Sequence, residues 1–274
     1  MKRKLPKVSA PVKSKFSTTA PVEALERWNP GVTAAEEKDN TISILDVIGQ
    51  DFFGEGVTAK RIAAALRRIG DQPVVVNINS PGGDFFEGLA IYNLLREHPH
   101  DVTVNVLGLA ASAASVVAMA ADELKIARAG FLMIHNAYVL AIGNRNELRD
   151  IADWLEPFDG AQADVLSARS GIDKKKIMDM LDKETWLSGQ QAVDQGFADD
   201  LLTSDQTKET PKSEFEHDIS LRTIDAVLAR AGMSRKERKN LLNGLHATPG
   251  ASENGTQSAA VQSLDSLLSI LKST

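Results

Sequence analysis

Ser112, His135 and the carboxylates Asp182 and Glu184 are the side chains whose types and surroundings could do covalent chemistry. A hydroxyl, an imidazole that takes its proton and a carboxylate that orients the ring are the minimum set for an activated serine nucleophile. Ser112 lies in GLAASAASVVAMAA, where strand-like sequence gives way to helix-like sequence. Its neighbours Ala110, Ala111, Ala113 and Ala114 leave the hydroxyl unobstructed, and a helix N-terminus favours a developing anion. The G-x-S-x-G wording of a nucleophile elbow is absent. The same serine could simply cap the helix, and Ser115 is a rival one turn on. His135 ends the apolar run FLMIH, where functional side chains emerge from a sheet, although a structural histidine would sit there equally well. Asp182 and Glu184 stand in LDKETWLSG, a charge run that could instead be solvated. In NSPGG, Asn79 to Gly83, a proline and two glycines permit a tight turn with exposed N–H groups. Such groups can hold an oxyanion, or merely make the turn.

Composition narrows the chemistry further. The 274-residue chain has no cysteine, which excludes disulfides, thiolate nucleophiles and thiolate metal sites. Its five histidines, His98, His100, His135, His217 and His246, show no H-E-x-x-H spacing, so no metal and no cofactor are expected. No G-x-x-x-x-G-K-[ST] loop occurs, so ATP-driven work would have to come from another protein. Net charge is 31 − 37 = −6, which argues against a nucleic-acid binder. Val102 to Ala121 is uncharged over 20 residues, but its Ala, Gly, Ser and Asn content and the alternation in VTVNV read as a buried strand entering a small-residue helix, not a membrane span.

The elements that must position these residues follow from periodicity. TISILDVIG alternates as a strand. Thr58 caps a helix whose Ile62, Leu66 and Ile69 share a face and which Gly70 stops. PVVVNIN is a buried strand ending at the NSPGG turn, and about 86–98 is a helix with Leu89, Tyr92 and Leu95 inward. Then come a strand 102–107, a helix 112–121, and strands 123–127 and 131–135. A long helix spans about 144–170, with Pro157 expected to kink or break it. Asp173 caps a short helix, and Ser188 with Gln191 makes a capping box for another closed by Gly196. Alternating strands and helices imply an α/β domain with mostly parallel strands, over about 41–203.

The flanks differ. Residues 1–40 hold four prolines, and the first 15 residues hold six basic and no acidic side chains, so a disordered basic tail without a secretory h-region is expected. Residues 204–274 read as linker and short helices: ISLRTIDAVLARAG stopped by Gly232, a Ser234/Glu237 capping box opening RKERKNLLNG, a low-complexity stretch, and VQSLDSLLSILK. RAGMSRKERKN is basic and faintly like a helix-turn-helix, but no base-reading residues can be named in it.

INSPGG, GLAASAAS, FLMIHN and ETWLSGQQAVDQGFAD, in this order and spacing, resemble the proteolytic subunit of Clp protease, and in local wording more closely the Clp-like head maturation (prohead) proteases of tailed bacteriophages and prophages. The separation 135 − 112 = 23 fits that pattern. The resemblance implies the Clp protease/crotonase-like α/β fold of repeated strand–strand–helix units, with flexible N- and C-terminal extensions. It implies Ser112 as nucleophile, His135 as general base, and the N–H groups of Gly83 and Ala113 as oxyanion hole. Glu184 takes the place of the family's aspartate, with Asp182 as the alternative third member. It further implies a ring homo-oligomer, contacts through the 144–170 helix, capsid and scaffold proteins as substrates, self-processing of the C-terminal tail, assistance by a host unfoldase, and a place in the bacterial cytoplasm or the prohead. The N-terminal tail departs from the gating loop of the degradative subunits. A crotonase-like thioester enzyme and an inactive assembly or scaffold protein are the alternatives.

Overall fold

Val74–Ser80 is built mainly from β-branched and amide side chains and is buried at six of its seven positions. A strand buried on both faces belongs at the centre of a parallel sheet. The structure, a computed structural model, describes residues 19–36, 38–50, 56–139, 141–203 and 207–246. In it β2 (Thr41–Ile44), β3 (Val74–Ser80), β4 (Val102–Ala111), β5 (Glu123–Ala127) and β8 (Asp200–Leu202) lie in that order and are all parallel. β4 pairs with β5 through its first half, and through Leu109–Ala111 with β6 (Phe131–Ile134). β7 (Thr185–Ser188) then adds antiparallel to β6. The mixed α/β architecture with a parallel sheet agrees with the sequence reading. β4 is longer than expected and delivers Ser112 directly at its end. Thr185–Ser188, for which no strand is expected from the sequence, forms β7, with Trp186 and Ser188 flanking the buried Leu187.

The crossover helices carry the expected signals. Thr58 Oγ1 accepts from Arg61 N at the start of α2 (Ala59–Ile69). Asp84 accepts from Phe86 N and Glu87 N to open α3 (Phe85–Glu97). α4 (Ala113–Ala118) is buried at every position. The uncharged stretch 102–121 is therefore strand and helix inside the core; among the described residues no helix is long and apolar enough to cross a membrane. α5 (Arg145–Ser170), opened by an Asn144/Glu147 capping box and stopped by Gly171 in the left-handed region, runs through Pro157 as one helix. The helix does not break there: the proline costs one backbone bond, and Phe86 packs against residues on both sides of it, tilted on Trp154 and edge-to-face on Phe158. α6 (Lys174–Asp182) and α7 (Gly189–Asp194) start at Asp173 and at the Ser188/Gln191 box.

Two findings depart from the expected tails. Within residues 1–40, α1 (Val22–Arg27) and β1 (Val32–Ala34) form; residues 1–18 lie outside the described residues. Beyond the expected boundary at 203, β9 (Thr207–Glu209) pairs antiparallel with β1, and α8 (Glu216–Arg230) packs on α1. The reason is a second small core, built on residues of β4 and β6. Trp28 is fully buried there with Ala24, Leu25 and Ala226 against Leu109, Ala111 and Met133. Its indole donates to the Asn79 carbonyl at 3.0 Å, and the Arg222 guanidinium lies over its ring while pairing with Asp46. The chain divides into two compact units, the first ending at Gly232 and the second beginning at Met233. The second unit contains α9 (Arg235–His246), opened by the Ser234/Glu237 capping box. VQSLDSLLSILK and the low-complexity stretch before it lie outside the described residues.

Candidate active site

β4 ends in Ala111, and the chain then turns so sharply that Ser112 adopts φ 54° and ψ −124° before α4 begins. That left-handed backbone costs a non-glycine residue about 1–3 kcal/mol and is kept where the surroundings over-determine it. Ser112 N donates to the Met133 carbonyl at 2.9 Å, tying the turn to the neighbouring strand β6. The serine occupies the N-cap position of α4 but its side chain makes no capping bond. Instead Ser112 Oγ lies 2.7 Å from His135 Nε2. His135 follows β6 directly, so the pairing of β4 with β6 brings the two side chains to adjacent strand ends. Ser115, the rival hydroxyl, is fully buried and donates to the Ser112 carbonyl at 2.6 Å, which removes it from the cleft.

The NSPGG turn packs against this elbow. Ile48 N donates to the Gly82 carbonyl and Asp84 N to the Ile48 carbonyl, so the Gly83 N–H stays outside that ladder. Gly82 and Gly83 hold φ 86° and 146°. A Cβ on Gly82 would stand 2.5 Å from the Ala111 carbonyl oxygen, and one on Gly83 would stand 2.1 Å from that of Ile48. The Ala113 N–H, in the first turn of α4, has no intrahelical partner. Gly83 lines the same small cleft as Ser112 and His135. Asn79, in the same motif, has a different task. Its amide donates to the carbonyls of Asn29 and Val32 and its oxygen accepts from Leu109 N, stapling β1 to the sheet.

The two carboxylates are not on the imidazole. Glu184, the other non-glycine residue with positive φ (47°) among the described residues, accepts from Trp186 Nε1 at 3.2 Å. Asp182 accepts from Asn136 Nδ2 at 2.7 Å. The effect of Glu184 on His135 is electrostatic. Burial holds the His135 pKa below its ordinary value; Glu184 opposes that shift, Arg230 adds to it, and Glu23 opposes it. Residues the sequence reading passed over complete the setting. The buried Gln162 of α5 donates to the His135 carbonyl at 3.1 Å, and the Tyr138 ring lies against the imidazole. Arg230 of α8 lies over Tyr138 and pairs with Glu23 of α1. Nothing local in sequence places Gln162, Tyr138 or Arg230 at His135.

A serine of positive φ on a strand-to-helix elbow, an imidazole in hydrogen-bond contact and a glycine turn lining the same cleft form an arrangement that can support acyl transfer. Residues 38–205 match the Clp protease family, and the chain belongs to it. It is similar to the ATP-dependent Clp protease proteolytic subunit 1 of Chlamydia abortus, 31% identical over 164 residues, covering 56% of this chain and 85% of that one. It is also similar to proteolytic subunit 3 of Rhodococcus jostii, 29% identical over 134 residues, covering 48% of this chain and 66% of that one. A solved structure of a ClpP1 mutant from Listeria monocytogenes shares the fold, with a TM-score of 0.52 and 22% identity over 61% of this chain and 92% of that one. α1, β1, β9 and α8 all lie outside the family match.

Proposed function

We propose that this chain is a serine endopeptidase of phage head maturation, cutting capsid and scaffold proteins. The observation that carries the peptidase reading is the 2.7 Å contact of Ser112 Oγ with His135 Nε2 beside the Gly83 turn. His135 takes the Ser112 proton as the hydroxyl attacks a peptide carbonyl. The N–H groups of Gly83 and Ala113 receive the oxyanion; losing one such donor costs about 3–4 kcal/mol of transition-state stabilisation. His135 then protonates the leaving amine, and water releases the acyl group from Ser112. Glu184 is the third member through its field on the imidazole, with Asp182 as the alternative.

The head-maturation reading is supported by the wordings GLAASAAS and ETWL and by the segments beyond the family match. In this reading the chain works as a ring of like subunits in contact through α5, in the cytoplasm of an infected bacterium or within the prohead, with an unfoldase as an external helper where substrates are folded. Fluorophosphonate labelling tests the nucleophile: wild-type protein is labelled and Ser112→Ala is not. Undiminished labelling of the alanine variant would move the nucleophile elsewhere. Co-expression with the neighbouring capsid gene product tests the substrate: a cleaved product that requires Ser112 is expected, and an intact capsid protein beside a labelled Ser112 would remove the head-maturation reading alone.

A further inference from the structure

The cleft around Ser112 and His135 is narrow, and a segment of this chain forms part of its wall. Thr19 lines it together with Ser112, His135, Gly83 and Tyr138. The free space that remains is about 10 Å³, no more than a single water needs. The segment is anchored rather than laid loosely over the site. The Tyr138 hydroxyl donates to the Thr19 carbonyl. Ala20, 2% exposed, packs in the small core that contains Ala111, which directly precedes Ser112, and Met133 of β6. Pro21 precedes α1 and donates no hydrogen bond, so the segment enters the helix extended.

The anchor has a second layer. α1 is held by α8 and by Trp28 on Asn79, and Arg27 lies over the ring of Trp186, 4.2 Å from its centroid. Glu23 and Arg230 close the far side, over Tyr138. Each of these groups comes from outside residues 38–205 or touches one that does. A peptide substrate needs more room beside Ser112 and His135 than the cleft walled by the segment leaves.

We propose that Thr19–Pro21, clamped by α1 and α8, is a built-in occupant of the peptide cleft that keeps the Ser112–His135 pair closed to substrate until the segment is displaced. This rests on the reading of Ser112 as a nucleophile. The closed state makes reactivity scale with the fraction of molecules in which the segment has left.

The experiment uses the full chain carrying Ala20→Arg, whose guanidinium cannot be buried unpaired at that position. Cooperative thermal unfolding checks that the rest of the fold persists. Fluorophosphonate labelling is expected to accelerate about tenfold or more over wild type, as for release of a site open in a minor population. A synthetic peptide with the sequence of residues 17–24, STTAPVEA, should slow the variant again by competition. An independent readout is the His135 titration followed by NMR in a Ser112→Ala background. Displacing the cover returns water to the imidazole and raises its midpoint, whereas an added cation that stayed in place would lower it. Unchanged or slower labelling together with an unchanged or lower His135 midpoint overturns the proposal. A raised midpoint with no labelling in any form retains the cover and removes Ser112 as nucleophile.

Discussion

At the scale of single residues, the site depends on how one imidazole is tuned. Burial lowers the His135 pKa, Glu184 pulls it back up, Arg230 lowers it and Glu23 raises it. In the proposed mechanism His135 is the general base and must be neutral, so activity is expected to rise with pH through its pKa, with the acid limb below the ordinary histidine value. Replacing Glu184 by Gln removes the group that favours the imidazolium. The acid limb of a pH–rate profile should therefore move to lower pH, with a plateau loss of about tenfold. That is far less than the ~10⁴-fold that a hydrogen-bonded acid supplies in serine proteases, because Glu184 faces Trp186. Asp182→Asn, one residue removed from the imidazole through Asn136, should change less. A larger loss in Asp182→Asn would exchange their roles. Ser112 and His135 were legible as candidates from their local settings, but a capping serine and a structural histidine fitted the same letters. The contact between their side chains supports the catalytic proposal, and it depends on strands β4 and β6 being neighbours.

The elements around the site divide by how local their signals are. Helix caps at Thr58, Asp173 and Ser188 were legible because each is satisfied within three residues. The sheet order was not, because β4 pairs with β5 below and β6 above, a divergence no periodicity announces. α1 and β1 went unread for a related reason: prolines flank them, and their stability comes from Trp28, Asn79 and α8 far along the chain. Trp28→Ala should cost about 3–5 kcal/mol of stability, read by urea unfolding. It also leaves α1 without its anchor, so the cleft opens and labelling of Ser112 accelerates below the unfolding range. A loss below about 1 kcal/mol would mean the small core carries little of the stability.

For the whole molecule, the family domain and its additions do different work. Residues 38–205 carry the sheet and the Ser112–His135 pair, while α1, β1, β9 and α8 wrap one side of them. A ring assembly predicts a high-mass species in gel filtration with light scattering, and a monomer at working concentration would count against it. If the enzyme trims its own C-terminal tail, intact-mass measurement should show shortened wild-type chains and full-length Ser112→Ala chains; identical termini would remove self-trimming.

The sequence by itself determined the α/β class, the family resemblance and the short list of reactive residues, since these rest on periodicity, residue chemistry and motif order. Absence of cysteine and a single histidine at a strand end did much of that selection. Tertiary structure alone decided that Ser112 faces His135, that Glu184 and Asp182 turn to other partners, and that Thr19 lines the cleft. These are meetings between segments far apart in the chain, set by which strands pair and which surfaces bury one another, and local pattern carries no record of them.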